Sequence, residues 1–295
     1  MSAVGSDAPE ENVSRRHARL VGWIIGASLL LAAIVVAVRV LPQSVGLLAE
    51  LERPDPVKLV LLPVLVLVNL LLSTEIFHLL GRRFVAITRL EDLAIVSGLT
   101  LANYLPFRPG IFMRISYFKG RHQVPVGSTA RVLAEAFGAT ALSILLVLVL
   151  LLFAKSSSFG VAWVWIASFI VPGLAALSPG YRLYARVSLL RLLEILFWAL
   201  RIHLSFALLG EPIDFSVASA VALAGMSTQL IPFVGNGLGL REWATGLLAG
   251  LLAGTTLGQA LAAELLIRAA ELLVILPAGV MGSLWIRNRR PVSVD

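Results

Sequence analysis

The chain has 295 residues, of which 58% are hydrophobic and 14% charged, with a formal net charge of +7 and no cysteine. Soluble domains average about 45–50% apolar and about 25% charged residues, so this balance excludes an ordinary water-soluble enzyme. The missing cysteines exclude disulfides, iron–sulfur clusters and thiolate zinc sites.

A pI near 10.5 would point to nucleic acid in a soluble protein. Here basic loops that orient helices and meet anionic lipid headgroups account for it, and no nucleic-acid partner is expected.

Residues 1–19 form a polar tail, and the first apolar run is Leu20–Val38. No small-residue cleavage site follows it, so the expectation is a retained anchor rather than a signal peptide. Five more runs are long enough to cross about 30 Å of hydrocarbon: Leu59–Leu80, Val132–Ala154, Phe159–Leu177, Leu189–Leu209 and Leu257–Ile286. A basic tail, 287–295, closes the chain. Residues 20–286 therefore read as a single transmembrane domain with no separate soluble unit.

Two apolar stretches are too short or too broken to cross. Leu93–Leu105 runs into Pro106, and Phe215–Ile231 runs into Pro232 and a glycine cluster, Gly235, Gly237 and Gly239. Proline removes an amide donor, and backbone freed at membrane depth survives only against protein or a watery cavity. Both stretches are expected to be re-entrant helical hairpins. The expected fold class is thus an all-α integral membrane protein with about six spanning helices and two re-entrant hairpins.

The basic residues orient this arrangement. With both termini inside, fourteen arginines and lysines fall on the cytoplasmic side, four outside and six within spans or hairpins, which completes the total of 24. Cytoplasmic loops carry such an excess. The expected location is the cell (inner) membrane, multi-pass, N-in and C-in.

The order span, span, hairpin, span occurs twice, over about 20–154 and about 159–286. Leu105-Pro106-Phe107 with Gly110 and Arg114 echoes Ile231-Pro232-Phe233 with Gly235 and Arg241. Three spans per half force opposite topologies. Opposed repeats with paired broken helices are a transporter pattern, with the substrate where the breaks meet.

Charge in the bilayer costs about 2.5–3.5 kcal/mol per residue on insertion scales, and it persists where paired or useful. Glu264, Arg268 and Glu271 share one helix face at i, i+4 and i+7. They make either a neutral structural strip or a substrate-facing strip with Arg268 as anion ligand. Arg108 and Arg241 flank the two breaks. With the amides of Gly110 and of Gly235–Gly239, they would cradle a phosphate or similar anion. Arg114 and Glu242 accompany them, and Asn103, Gln229 and Asn236 would add neutral hydrogen bonds.

Glu135 is either a helix-end partner of Arg131 or a carboxylate facing Arg108 or Arg114 that balances charge or carries a proton. Arg191, Glu194 and Arg201 read as mainly structural pairs. The four scattered histidines make a metal site unexpected. No Walker loop, nucleophile elbow or zinc-protease motif occurs, so no cofactor and no catalytic residue is expected.

The segments N-Y-L-P-F-R-P-G (Asn103–Gly110) with Arg114, V-L-A-E (Val132–Glu135), I-P-F-V-G-N-G-L-G-L-R-E (Ile231–Glu242) and the Arg268 helix carry a resemblance. The chain resembles the lysylphosphatidylglycerol-synthase transmembrane-region family, the flippase-like module of the multiple peptide resistance factor. Many members have an acidic residue where Ile111 stands, and a Glu-Arg pair where this chain has Glu135-Ala136. The resemblance implies lipid translocation between leaflets, of aminoacylated phosphatidylglycerol, polyprenyl-linked intermediates or hopanoids. It does not imply lipid synthesis.

The expected partners are membrane lipids with anionic or lipid-linked headgroups, and self-association stays open. Two alternatives remain: an intramembrane enzyme on lipid-linked phosphate or sugar, and a non-catalytic membrane partner of a lipid-modifying enzyme.

Overall fold

The computed structural model describes residues 55–104, 108–155, 160–231 and 240–288. The anchor expected at Leu20–Val38, and Gly235, Asn236, Gly237 and Gly239, lie outside the described residues. The described chain is all-helical: α1 (Pro56–Gly81), α2 (Arg89–Ala102), α3 (Pro109–His122), α4 (Val126–Lys155), α5 (Val161–Ala175), α6 (Arg182–Leu208), α7 (Phe215–Thr228), α8 (Leu240–Ala253) and α9 (Leu257–Asn288).

Three of these, α1, α4 and α9, are long and apolar enough to cross a membrane. They cover the runs expected at Leu59–Leu80, Val132–Ala154 and Leu257–Ile286. Helix α6 is as long as α1 but carries Arg191, Glu194 and Arg201 along its middle, which keeps it out of the apolar set. Helix α5 is shorter than the expected run to Leu177. It has only 15 residues, with Pro172 in its last turn and a turn at Ala176–Tyr181. At about 1.5 Å per residue it reaches about 22 Å.

Local signals set the helix starts. Asp55 caps α1 by accepting from Val57 N at 3.0 Å, with Pro56 in the first turn. Thr88 caps α2 by accepting from Glu91 N at 3.2 Å, the Thr-x-x-Glu spacing of a capping box. Helix α3 starts differently. Its N-cap, Arg108, has a left-handed backbone (φ 46°) just before Pro109.

Helix α6 is central and packs against α1, α4, α5, α7 and α9. Helix α9 lies most closely on α2, where small residues face each other. A side chain at Gly282 would collide with Ala94 O and Ser97, and one at Gly279 with Leu101. The close approach of these two backbones therefore needs glycine, as at many helix contacts in membranes.

The distribution of polarity is inverted relative to a soluble protein. Leu142, Leu152, Phe153, Leu251, Leu273 and Met281 stand exposed, whereas Arg108, Arg114, Arg241, Glu242, Glu264 and Arg268 are buried. An apolar exterior this extensive calls for an apolar surrounding.

Candidate functional site

A cavity of about 230 Å³ lies among α1, α2, α3, α4, α6, α7 and α9. Arg108, Arg114, Arg191, Glu194, Arg201 and Glu271 bring charge to its wall, and Asn69, Ser73, Asn103, Tyr104 and Gln229 bring neutral hydrogen-bonding groups. Each charged side chain has a different reason to be there.

Three helices contribute a ladder of arginine and glutamate that meets the cavity at Arg201 and Glu271. Arg241 of α8 pairs with Glu264 and reaches both oxygens of Glu271 at 3.0 and 3.1 Å. Arg201 of α6 donates to Glu271 at 3.0 Å. Arg268 donates to Glu242 at 2.7 Å and to Glu271 at 3.3 Å. Thr245 donates to Glu264 and Tyr104 to Glu271, both at 3.3 Å. The guanidiniums of Arg201 and Arg241 lie 5.1 and 4.7 Å from the centre of the Trp198 ring, a cation–π arrangement that strengthens when desolvated.

Three arginines thus meet three glutamates with almost no water access: Glu242 and Glu264 are fully buried and Arg241 is 1% exposed. Within the Glu264–Arg268–Glu271 strip, Arg268 pairs with Glu271. Most of the strip's bonds run to α6 and α8. Glu271 is the part of the strip that lines the cavity.

Arg114 of α3, also on the cavity wall, sits 4.1 Å over the Phe77 ring and 3.5 Å from Asp92 of α2. Asp92 in turn contacts His78 Nδ1 at 2.9 Å. From α6, Glu194 pairs with Arg191 and accepts from Ser73.

Arg108 stands apart. It is 5% exposed, and its Nη1 donates to the carbonyl of Gln229, the C-cap of α7. Helix C-termini carry partial negative charge, which suits a cation. Among the described residues, however, no carboxylate lies within ion-pair distance of Arg108. Its left-handed backbone is a conformation that non-glycine residues hold at a cost and that concentrates at functional positions. Gly110, two residues on, also lines the cavity, and a Cβ there would collide with Leu99 O and the Asn103 amide.

Glu135 does not face this cavity, which corrects one of the two sequence readings. It pairs with Arg83, accepts from Arg131 at 2.9 Å and from Tyr184 at 3.3 Å. Position four residues after Arg131 on the first turns of α4 puts it among these helix-end groups rather than beside Arg108 or Arg114.

Near the start of α2, Glu91 accepts from Tyr117 at 2.6 Å and contacts His122 at 2.9 Å. Partial burial raises its carboxyl, but the Tyr117 and His122 hydrogen bonds and the Arg121 charge outweigh this and hold it below the usual carboxylate range.

No protein family, curated protein or solved structure matches the chain. Among the described residues no three histidine, cysteine, aspartate or glutamate side chains gather to hold a metal. Asp92, Arg191, Glu194, Arg201, Trp198 and Tyr104 belong to the site and are not singled out for it by the sequence. The one usable signal was ionisable residues in an apolar helix, which mark function by default.

Chemically, the wall offers guanidinium and amide donors to an anion.

Proposed function

We propose that the chain is a lipid transporter of the flippase-like type, which takes an anionic or lipid-linked headgroup into this cavity and moves it between leaflets. In this reading α2–α3 and α7–α8 are the two re-entrant hairpins of an inverted repeat, and they enter from opposite sides of a cell membrane with both termini inside. The observation that carries the reading is Arg108: a buried guanidinium on a polar cavity, bonded to a helix C-terminus, with no carboxylate partner among the described residues. A buried cation without a counter-charge is costly, and an anionic headgroup would supply one. The apolar exterior supports the lipid setting.

Without an ATP-binding motif, movement is passive or ion-coupled. Headgroup entry would replace the Gln229 contact of Arg108, so that loading the cavity releases a bond between the two helix pairs. That gives the ligand a differential effect on two states, as any transport step requires.

Reconstitution into liposomes with a labelled-lipid accessibility assay tests this. Wild-type protein should expose inner-leaflet label, and Arg108→Ala should lose most of that activity while still inserting. Equal movement by wild type, Arg108→Ala and Arg241→Ala would refute the assignment.

A further inference from the structure

Arg114 is held more loosely than the other arginines of the cavity wall. Arg108, Arg191 and Arg201 each donate a hydrogen bond, to the Gln229 carbonyl, Glu194 and Glu271. Arg114 Nη2 stands 3.5 Å from Asp92 Oδ1, an ion pair without a hydrogen bond, and neither atom makes one among the described residues. The Phe77 and Phe118 rings lie 4.1 and 5.3 Å from the guanidinium. Both charges are nearly shut off from water, with the side chains 4% and 1% exposed.

Behind Arg114, Asp92 meets a group that titrates near neutrality. Its Oδ2 lies 2.9 Å from His78 Nδ1. The His78 side chain is 13% exposed and stands three residues before the end of α1, so the pair reaches water through the imidazole. The carboxylates on the cavity wall have no such neighbour. Glu194 has Arg191 and Ser73, and Glu271 has Arg201, Arg241 and Arg268.

The other charges on the helices packed against α2 are engaged elsewhere or exposed. On α1, Glu75 pairs with Arg89, and Lys58 pairs with Asp55 at the far end. On α3, Arg121 and His122 face Glu91, the neighbour of Asp92 on α2, and Lys119 is exposed. On α9, Glu264, Arg268 and Glu271 belong to the ladder, and Arg287 is exposed. Asp92 is thus left with His78, Arg114 and the like charge of Glu91.

We propose that the His78–Asp92 pair is a proton site, and that an anion enters the cavity together with one proton. The proposal rests on the anion-transport reading and names its coupling ion. Without the proton the pair carries one negative charge and neutralises Arg114. With it the pair is neutral, whichever residue holds the proton, and Arg114 becomes an unmatched cation on the wall that an anion can take. A bound anion in turn draws Arg114 from Asp92 and favours the proton on the pair. The two ligands therefore raise each other's affinity by the same factor. The charges balance as well: one anion and one proton together add nothing to an interior where net charge is costly.

The test is isothermal titration calorimetry of the full chain in neutral detergent with dioleoylphosphatidylglycerol. Buffers of different ionisation enthalpy count the protons taken up per lipid, between about pH 5.5 and about pH 8.5, a range that brackets ordinary imidazole titration. This lipid is a phosphodiester and lacks the second ionisation, near pKa about 6, of a phosphomonoester, so uptake reports on the protein. Wild type should bind at least about tenfold tighter at the acid end than at the basic end, with uptake peaking at about half a proton or more. Asp92→Asn should bind at the basic end as tightly as wild type does in acid, and take up no proton. Arg114→Gln should bind more weakly and also take up none. His78→Asn should move the midpoint of the pH profile, and His122→Asn should keep the wild-type uptake.

Binding that depends on Arg108 but takes up no proton at any pH overturns the proton site and leaves the anion reading standing. Uptake that survives Asp92→Asn, a midpoint unmoved by His78→Asn, or uptake lost in His122→Asn overturns the proton site too. No binding, or binding unchanged in Arg108→Gln, overturns both. A wild-type profile flat in pH is decisive without any variant, and Arg114→Gln serves if Asp92→Asn fails to fold.

Discussion

Removing Arg241 should cost more stability than removing almost any other single side chain, and removing its partner with it should restore most of the loss. The side chain is 1% exposed and serves two glutamates. Glu271 keeps Arg201 and Arg268 when Arg241 is lost. Among the described residues, Glu264 then keeps the Thr245 hydroxyl as its hydrogen-bond donor. Arg241→Met therefore strands one fully buried carboxylate. Breaking a buried pair in this way costs about 3–5 kcal/mol, whereas replacing both partners with neutral groups is often close to neutral. Arg241→Met combined with Glu264→Gln should recover all but about 1 kcal/mol. Unfolding in mixed micelles with increasing SDS, followed by tryptophan fluorescence, reads both values. A single variant as stable as wild type, or a double variant as unstable as the single, would refute the placement of this ladder in a water-excluded interior.

Other positions give independent checks. Gly110→Ala should lower stability by about 2 kcal/mol or more, through overpacking against Leu99 O and Asn103, and should weaken lipid binding with it; thermal unfolding and lipid titration read the two effects. Gly282→Ala should separate α9 from α2 at Ala94, which a cross-linking pair placed across that contact would report as a lost product. Glu91→Gln should lower the apparent Tm at pH 7. Its carboxyl is held below the usual range, so its contribution is complete above the unfolded value of about 4.3 and fades as pH falls through the lower folded value. The gap between wild type and variant should close in acid, and a gap that widens there contradicts the Tyr117 and His122 bonding.

Much of the architecture was legible because a membrane helix must satisfy its own backbone and expose apolar side chains. Runs such as Leu59–Leu80 and Val132–Ala154 meet both demands locally, and they appear as α1 and α4. The end of α5 was less legible, because Pro172 and the Ser178–Gly180 turn compete with an apolar run that continues to Leu177. Within the site, Arg108, Arg114, Arg241 and Arg268 stood out beside breaks or on charged faces.

The pairings did not stand out. Arg201 meets Glu271 across 70 residues, and Glu194 meets Ser73 across 121. No local spacing encodes such contacts, so Arg201 and Glu194 read as partners within their own helix until α6 is packed against α1 and α9. Glu135 shows the opposite failure: its spacing from Arg131 was visible, and the helix-end alternative placed it correctly.

The central claim is that Arg108 awaits an anion. A cryo-EM structure of the full chain in nanodiscs of dioleoylphosphatidylglycerol tests it most directly. The account predicts a lipid phosphate within hydrogen-bond distance of the Arg108 guanidinium inside the cavity, with the Gln229 contact broken. Lipid found only on the outer helices, with Arg108 still bonded to Gln229 and the cavity filled by water, would contradict it.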